Sequence, residues 1–313
     1  MVDVVILFFI LGLTAGLLRS ELKLPAALYD SLTLVLLLTI GLKGGEGLSK
    51  QALGPLLPQL GMVIVLGVAQ TLVAFAILRA LGKLDKADAA ATAAHYGSVS
   101  VATFAVGTNW LMSRNIAFEP QLAIFLTVME VPAIIVGIVL ARGLSRQTDW
   151  RSLAHESFLG KGVTLLIGGM AIGWAAGPVG LGPIKELFFD LFKGALALFL
   201  LEMGLIVANQ VGELRRRGLF IVAFGLLMPL LSAMLGMGVG LAMGLSVGGL
   251  TLLTTLAASA SYIAVPATMR LAIPEANPTL SLAAVLGVTF PFNILAGIPF
   301  YHWLAVQLTG ANV

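Results

Sequence analysis

The chain has 313 residues, of which 59% are apolar and only 11% charged, with a formal net charge of +3 and a mean hydropathy of +1.03. A soluble domain carries about 25% charged residues, so this composition excludes one and specifies an all-α polytopic membrane protein. Cysteine is absent, which excludes disulfides and thiol chemistry, and His95, His155 and His302 are too scattered to suggest a metal centre.

Spanning helices need about 17–25 apolar residues, fewer where a helix is broken. Ten spans are read in chain order: 3–18, 27–42, 58–81, 87–112, 119–142, 160–176, 184–208, 217–242, 246–272 and 279–308. The first follows an acid, Asp3, rather than a basic segment, and no small-residue cleavage pattern comes after it, so it reads as a span and not as a signal peptide. Charged connectors separate most spans: Arg19 to Lys23, Lys43 to Lys50, Arg79 to Asp88, Arg142 to Lys161 and Glu213 to Arg217. With the N-terminus outside, 13 of the 18 Lys and Arg fall in inner loops, and the even number of spans puts both termini outside.

The fourth and ninth spans are interrupted by small polar stretches, AAHYGSVSVATF at 93–104 and TTLAASASYIAV at 254–265. Each holds a Ser-x-Ser, Ser98-Val99-Ser100 and Ser259-Ala260-Ser261, 161 residues apart. Five spans precede the Arg142–Lys161 loop and five follow it, and an odd number per half places the halves in opposite orientation. The expectation is a 5+5 inverted repeat, residues 1–142 and 161–313 about a short cytoplasmic linker, 143–160, with one discontinuous helix in each half.

A helix broken inside a membrane must have its freed backbone groups met by protein or by a water-filled cavity. Half-helices ending near Tyr96 and Ala258 aim carbonyls, the negative dipole end, at the centre. Those beginning near Val101 and Tyr262 aim N–H groups at the same place. Cations then sit at the carbonyl ends and anions at the N-termini. The plainer reading of the same residues is close helix packing by Gly, Ala and Ser.

Two acids lie within spans, Glu130 and Glu202. A charge at mid-membrane costs at least about 2.5–3.5 kcal/mol, which makes each a functional candidate. Glu130 precedes Pro132, and Pro291-Phe292-Asn293 stands at the related place in the second half, an offset of 163 from Glu130 to Asn293. A carboxylate and an amide flanking a crossing suit a small cation, with Thr127 and Thr289 about one turn away. The alternative for Glu130 is a neutral packing acid, which is the favoured reading for Glu202. His95 reads as a hydrogen-bonded core histidine or a proton relay. Thr103 and Asn109 extend the cation site, or Asn109 caps a helix. Arg215-Arg216-Arg217 reads as an inner-face anchor in contact with membrane lipid, or with a regulatory protein. There is no P-loop, no Arg-rich voltage-sensing helix and no selectivity-filter repeat.

The stretch from His95 to Phe104 closely resembles the first crossing of the cyanobacterial sodium-dependent bicarbonate transporter family. So do Ser259 to Pro266 with Met269-Arg270, Pro274 to Pro278, and Thr289 to Asn293. The resemblance implies a ten-helix inverted-repeat fold like that of bile-acid symporters and sodium/proton antiporters. It also implies a core domain (about 58–142 and 217–308) moving against a gate domain (about 3–42 and 160–208), a homotrimer, sodium coupling and bicarbonate as substrate. The linker from Gly143 to Gly160 is shorter than is usual in that family, which weakens the expectation of its PII-like regulatory partner and loosens the assignment of the anion.

Residues and resemblance together predict a sodium-coupled symporter of a small anion in a bacterial inner membrane. It is not an enzyme, has no nucleic-acid partner, and works by elevator-type alternating access. Backbone around Gly97, Ser98, Val99 and Ser100, and around Ala260, Ser261 and Tyr262, is expected to cradle the anion. Ser98, Thr103, Glu130, Ser259 and Asn293 are expected around Na⁺. The alternatives are a sodium/proton antiporter of the same fold, against which the absence of Asp at the crossing counts, and a non-transporting membrane sensor.

Overall fold

The computed structural model describes residues 3–50, 54, 56–143, 151, 155 and 159–310, and every regular element among them is helical. In chain order these are α1 (Val4–Leu17), α2 (Ala26–Leu48), α3 (Leu56–Ala80), α4 (Lys86–Gly97), α5 (Val101–Met112) and α6 (Leu122–Arg142). Then come α7 (Lys161–Gly180), α8 (Phe192–Arg217), α9 (Leu219–Ala242), α10 (Val247–Ala258), α11 (Ala264–Ala272) and the helical run α12 (Pro278–Thr309). Among the described residues, seven helical stretches are long and apolar enough to cross a membrane, and α1 and α10 are shorter apolar helices. Most of the expected linker lies outside the described residues, as do the side chains of Arg215, Arg216 and Arg217.

Two expected connectors are helical. The Lys43–Lys50 stretch carries α2 on to Leu48, because its glycines let α7 approach: a Cβ at Gly45 would collide with the Met170 carbonyl. The Glu213–Arg217 stretch likewise belongs to α8, which continues until Gly218 takes a left-handed φ of 84°. Proline shapes α12 in the opposite sense. Pro291 has no N–H to donate, and the run widens into π turns at Val285–Thr289 and Asn293–Gly297 on either side of it.

Packing falls into two groups. α1 lies along α8 and α2 along α7. Their close approach needs small residues on both partners, since a Cβ at Gly12 would strike the Leu201 carbonyl and one at Gly204 the Phe9 carbonyl. Around these stand α3, α4 and α6, mutually packed, and α9 and α10, which pack on each other and on the first half and the end of α12 respectively. Each group of the second kind is tied to the other by an acid at a helix start. Glu119 accepts from the Ser246 N–H at 2.6 Å, and Asp88 accepts from the Asn277 N–H at 2.6 Å.

Candidate functional site: two broken helices that meet

The first break covers Ser98 to Ser100. Helix α4 starts at the Asp85 cap, which accepts from the Asp88 N–H, and ends at Gly97, with Ser98 extended at φ −92°, ψ 179°. Ser100 then opens α5 by accepting from the Thr103 N–H. The second break is longer. Helix α10 starts at the Ser246 cap and ends at Ala258, with Ser259 in nearly the same conformation, φ −81°, ψ 172°. Helix α11 begins only at Ala264, two residues later than Tyr262, and no side chain caps it.

The structure brings the two breaks into contact. The Ser100 N–H donates to Ser259 Oγ at 2.8 Å, and Ser259 Oγ donates to the Leu256 carbonyl at 2.7 Å. His95 and Ser261 are linked twice: the Ser261 N–H donates to the His95 carbonyl at 2.9 Å, and His95 Nδ1–H donates to the Ser261 carbonyl at 2.6 Å. His95 is therefore a brace between the crossing strands. Gly97 must be glycine here, because a Cβ would land on Thr71 Oγ1 of α3.

The carbonyls that end the two half-helices are treated differently. At the end of α10, Gln70 Nε2 of α3 donates to the Ala257 carbonyl at 2.7 Å, and Asn293 Nδ2 donates to the Ala258 carbonyl at 2.8 Å. Asn293 Oδ1 in turn accepts from the Tyr301 hydroxyl at 2.7 Å. The residues 161 positions earlier are Tyr96 and Gly97, and among the described residues no hydrogen bond reaches either carbonyl. Nearby stands Glu130, 6% exposed and without a hydrogen-bonded or ionic partner among the described residues. Its level follows from α6 packing. Gly137 touches Ala90 and Ala94 of α4, while a Cβ at Gly67 would lie 3.2 Å from the Gly97 oxygen and 3.7 Å from the Met129 oxygen. Helix α6 thus runs antiparallel to α4 and carries Glu130 to the height of the first break.

Two further hydroxyls are buried without partners at the crossing. They are Ser98 Oγ and Tyr262 OH, the latter approaching the Ser100 side chain but forming no hydrogen bond of good geometry with it. Buried polar atoms are normally satisfied, so these two hydroxyls stand out at the crossing. Val99, Ala260 and Ser261 are buried beside them.

Other sequence candidates lie elsewhere. Thr127 donates to the Ala123 carbonyl of its own helix, and Thr289 donates to Gly225 while accepting from Tyr96, so neither faces the break with its hydroxyl proton free. Asn109 caps nothing: its amide donates to Asp3 at the start of α1. Glu202 lines a separate cavity with Arg19 and Lys23. Sequence reasoning missed Gln70 and Tyr301, one an amide midway along an apolar helix and the other a tyrosine two turns beyond Asn293. Their only signal was polarity inside a span.

No curated protein matches the chain. The model of the Na⁺-dependent bicarbonate transporter superfamily matches residues 4–306, nearly the whole length, and the chain belongs to that superfamily.

Proposed function

We propose that the protein is a sodium-coupled bicarbonate symporter whose ion site lies at the first break. The observation that carries this reading is the contrast between equivalent carbonyls. Ala257 and Ala258 are capped by the amides of Gln70 and Asn293, whereas the carbonyls of Tyr96 and Gly97 have no donor among the described residues and lie near an unpartnered carboxylate. Two carbonyl oxygens, a carboxylate and the Ser98 hydroxyl form a hard-oxygen set that suits a small cation. Thr103 and Ser259 border this set. Asn293, read from sequence as a sodium ligand, serves better as the stand-in for a cation on the other side.

The anion belongs at the N–H end of the crossing. α5 opens at Ser100–Val101, and the buried Ser98 and Tyr262 hydroxyls can donate to an oxyanion held among Gly97, Val99, Ala260 and Ser261. Opposite charges about 4 Å apart at an effective dielectric near 20 attract by roughly 4 kcal/mol. A third of that gives about tenfold coupling, so each ligand raises the affinity for the other.

The packing supports an inverted repeat. Exchanging the halves turns the α1–α8 contact into the α7–α2 contact, α3–α4 into α9–α10, and the Asp88–Asn277 tie into one like Glu119–Ser246. On this reading the ten spans form a gate of α1, α2, α7 and α8 and a core of the rest. The core moves as an elevator within an inner-membrane trimer that has both termini outside. Uptake of labelled bicarbonate into proteoliposomes tests the function: a sodium gradient accelerates it, and uptake indifferent to sodium refutes the coupling.

A further inference from the structure

A cavity of about 240 Å³ opens between α2 and the start of α8 on one side and α5 and the start of α6 on the other. Its walls are apolar, built from Phe104, Phe118, Pro120, Ala123 and Phe192, and one wall carries Lys43. The Lys43 ammonium lies 4.9 Å from the Phe192 ring centre and 5.2 Å from that of Phe189. No carboxylate lies within ion-pair distance of it among the described residues, and its hydrogen-bond acceptor is the weak Met112 thioether at 4.0 Å. The two other charged groups on the rim, Glu46 and Lys50, are paired with each other at 3.0 Å. Asp190 is the remaining acid that acts on Lys43, and it is exposed to solvent screening.

At close range among the described residues, the Lys43 ammonium meets only aromatic rings and a thioether, which leaves it available to an anion that enters the cavity. Bicarbonate would leave this volume largely empty and its apolar walls unused. An engineered apolar cavity of about 150 Å³ takes benzene, so 240 Å³ holds a ring or short chain together with a carboxylate. We propose that this cavity binds a small organic monocarboxylate, with its carboxylate on Lys43 and its apolar body among Phe104, Phe118 and Phe192.

Where the walls meet they touch through glycine: a Cβ at Gly44 would lie 2.7 Å from that of Ala123. An occupant above this contact wedges α2 apart from α5 and α6. Binding stands on the cavity's own geometry. The consequence for transport rests on the gate-and-core reading given above.

Benzoate is the probe, titrated by calorimetry onto the purified full chain in zwitterionic nanodiscs, with benzyl alcohol as the uncharged counterpart. Saturable benzoate binding is expected, at least tenfold tighter than that of benzyl alcohol. Lys43→Met, which keeps the stem over the rings, loses that tenfold, while Lys43→Arg retains it. Phe118→Ala, which removes a half-buried ring from the wall, weakens benzoate binding several-fold even if Lys43→Met fails to assemble. Absence of saturable binding, equal binding of the two probes, or undiminished binding by Phe118→Ala overturns the site. In proteoliposomes, benzoate should slow sodium-driven bicarbonate uptake without raising the half-saturating bicarbonate concentration. Binding without such slowing overturns the wedge. If the unmodified chain binds benzoate but moves no bicarbonate, the transport reading fails and the site stands.

Discussion

Two breaks, at Ser98–Ser100 and at Ser259–Ile263, meet inside the protein, and each follows the carbonyl end of a half-helix. At the second, protein fills the exposed groups: Gln70 and Asn293 cap the last two carbonyls of α10, and Tyr301 completes Asn293. At the first, the carbonyls of Tyr96 and Gly97 have no donor among the described residues, and on the proposed repeat the counterpart of Asn293 is Glu130, which in its ionised form can only accept. Amides fill one break, and an acid stands beside the other. On the proposed reading the amide-filled break is structural and the other binds the cation.

Variants at equivalent positions should therefore fail in different ways. The largest effect on stability is expected at the filled break. Asn293→Leu strands the Ala258 carbonyl and the Tyr301 hydroxyl, a loss on the order of 2–4 kcal/mol. It should lower the thermal midpoint in matched detergent, and an unchanged midpoint would mean that the amide caps nothing of consequence. Glu130→Gln is expected to spare the midpoint and to raise the half-saturating sodium concentration of uptake about tenfold or more, roughly 1.4 kcal/mol of lost ion binding. A drop in stability with sodium dependence intact would reverse the roles assigned to the two breaks.

Smaller effects refine the comparison. Ser259→Ala removes the acceptor for the Ser100 N–H, at a cost of about 1–3 kcal/mol for a buried unsatisfied donor. It should loosen the contact between the breaks, seen as faster hydrogen exchange at residues 98–103. Exchange rates matching the unmodified protein would show that this bond is not what joins them. Ser98→Ala deletes a hydroxyl that has no protein partner, so the midpoint should hold or rise while the half-saturating bicarbonate concentration increases several-fold. A fall in the midpoint without a change in transport would make Ser98 a packing residue.

Much of this contrast was legible in the amino-acid sequence, because a break in an apolar helix leaves small polar residues where leucine would otherwise stand. The two Ser-x-Ser motifs located both interruptions, and a lone acid beside Pro132 marked Glu130. What could not be read was which polar atoms find each other. Asn293 and Glu130 look interchangeable as oxygen ligands in sequence, and only the Ala258 and Tyr301 bonds show Asn293 to be occupied. The five-residue length of the second break and the continuation of α2 past Lys43 were hidden for a related reason. Helix ends are decided by what packs against them, here α7 against Gly45.

The most direct test is the sodium-specific thermal shift of the purified protein, measured in sodium chloride against choline chloride at equal ionic strength. A ligand that binds only the folded state raises the midpoint in proportion to its affinity. The unmodified protein should be stabilised by sodium, Glu130→Gln should lose that increment, and Asn293→Leu should keep it on a lower baseline. A Glu130→Gln protein that gains as much from sodium as the unmodified chain would contradict the account, for the cation would then bind away from the open break.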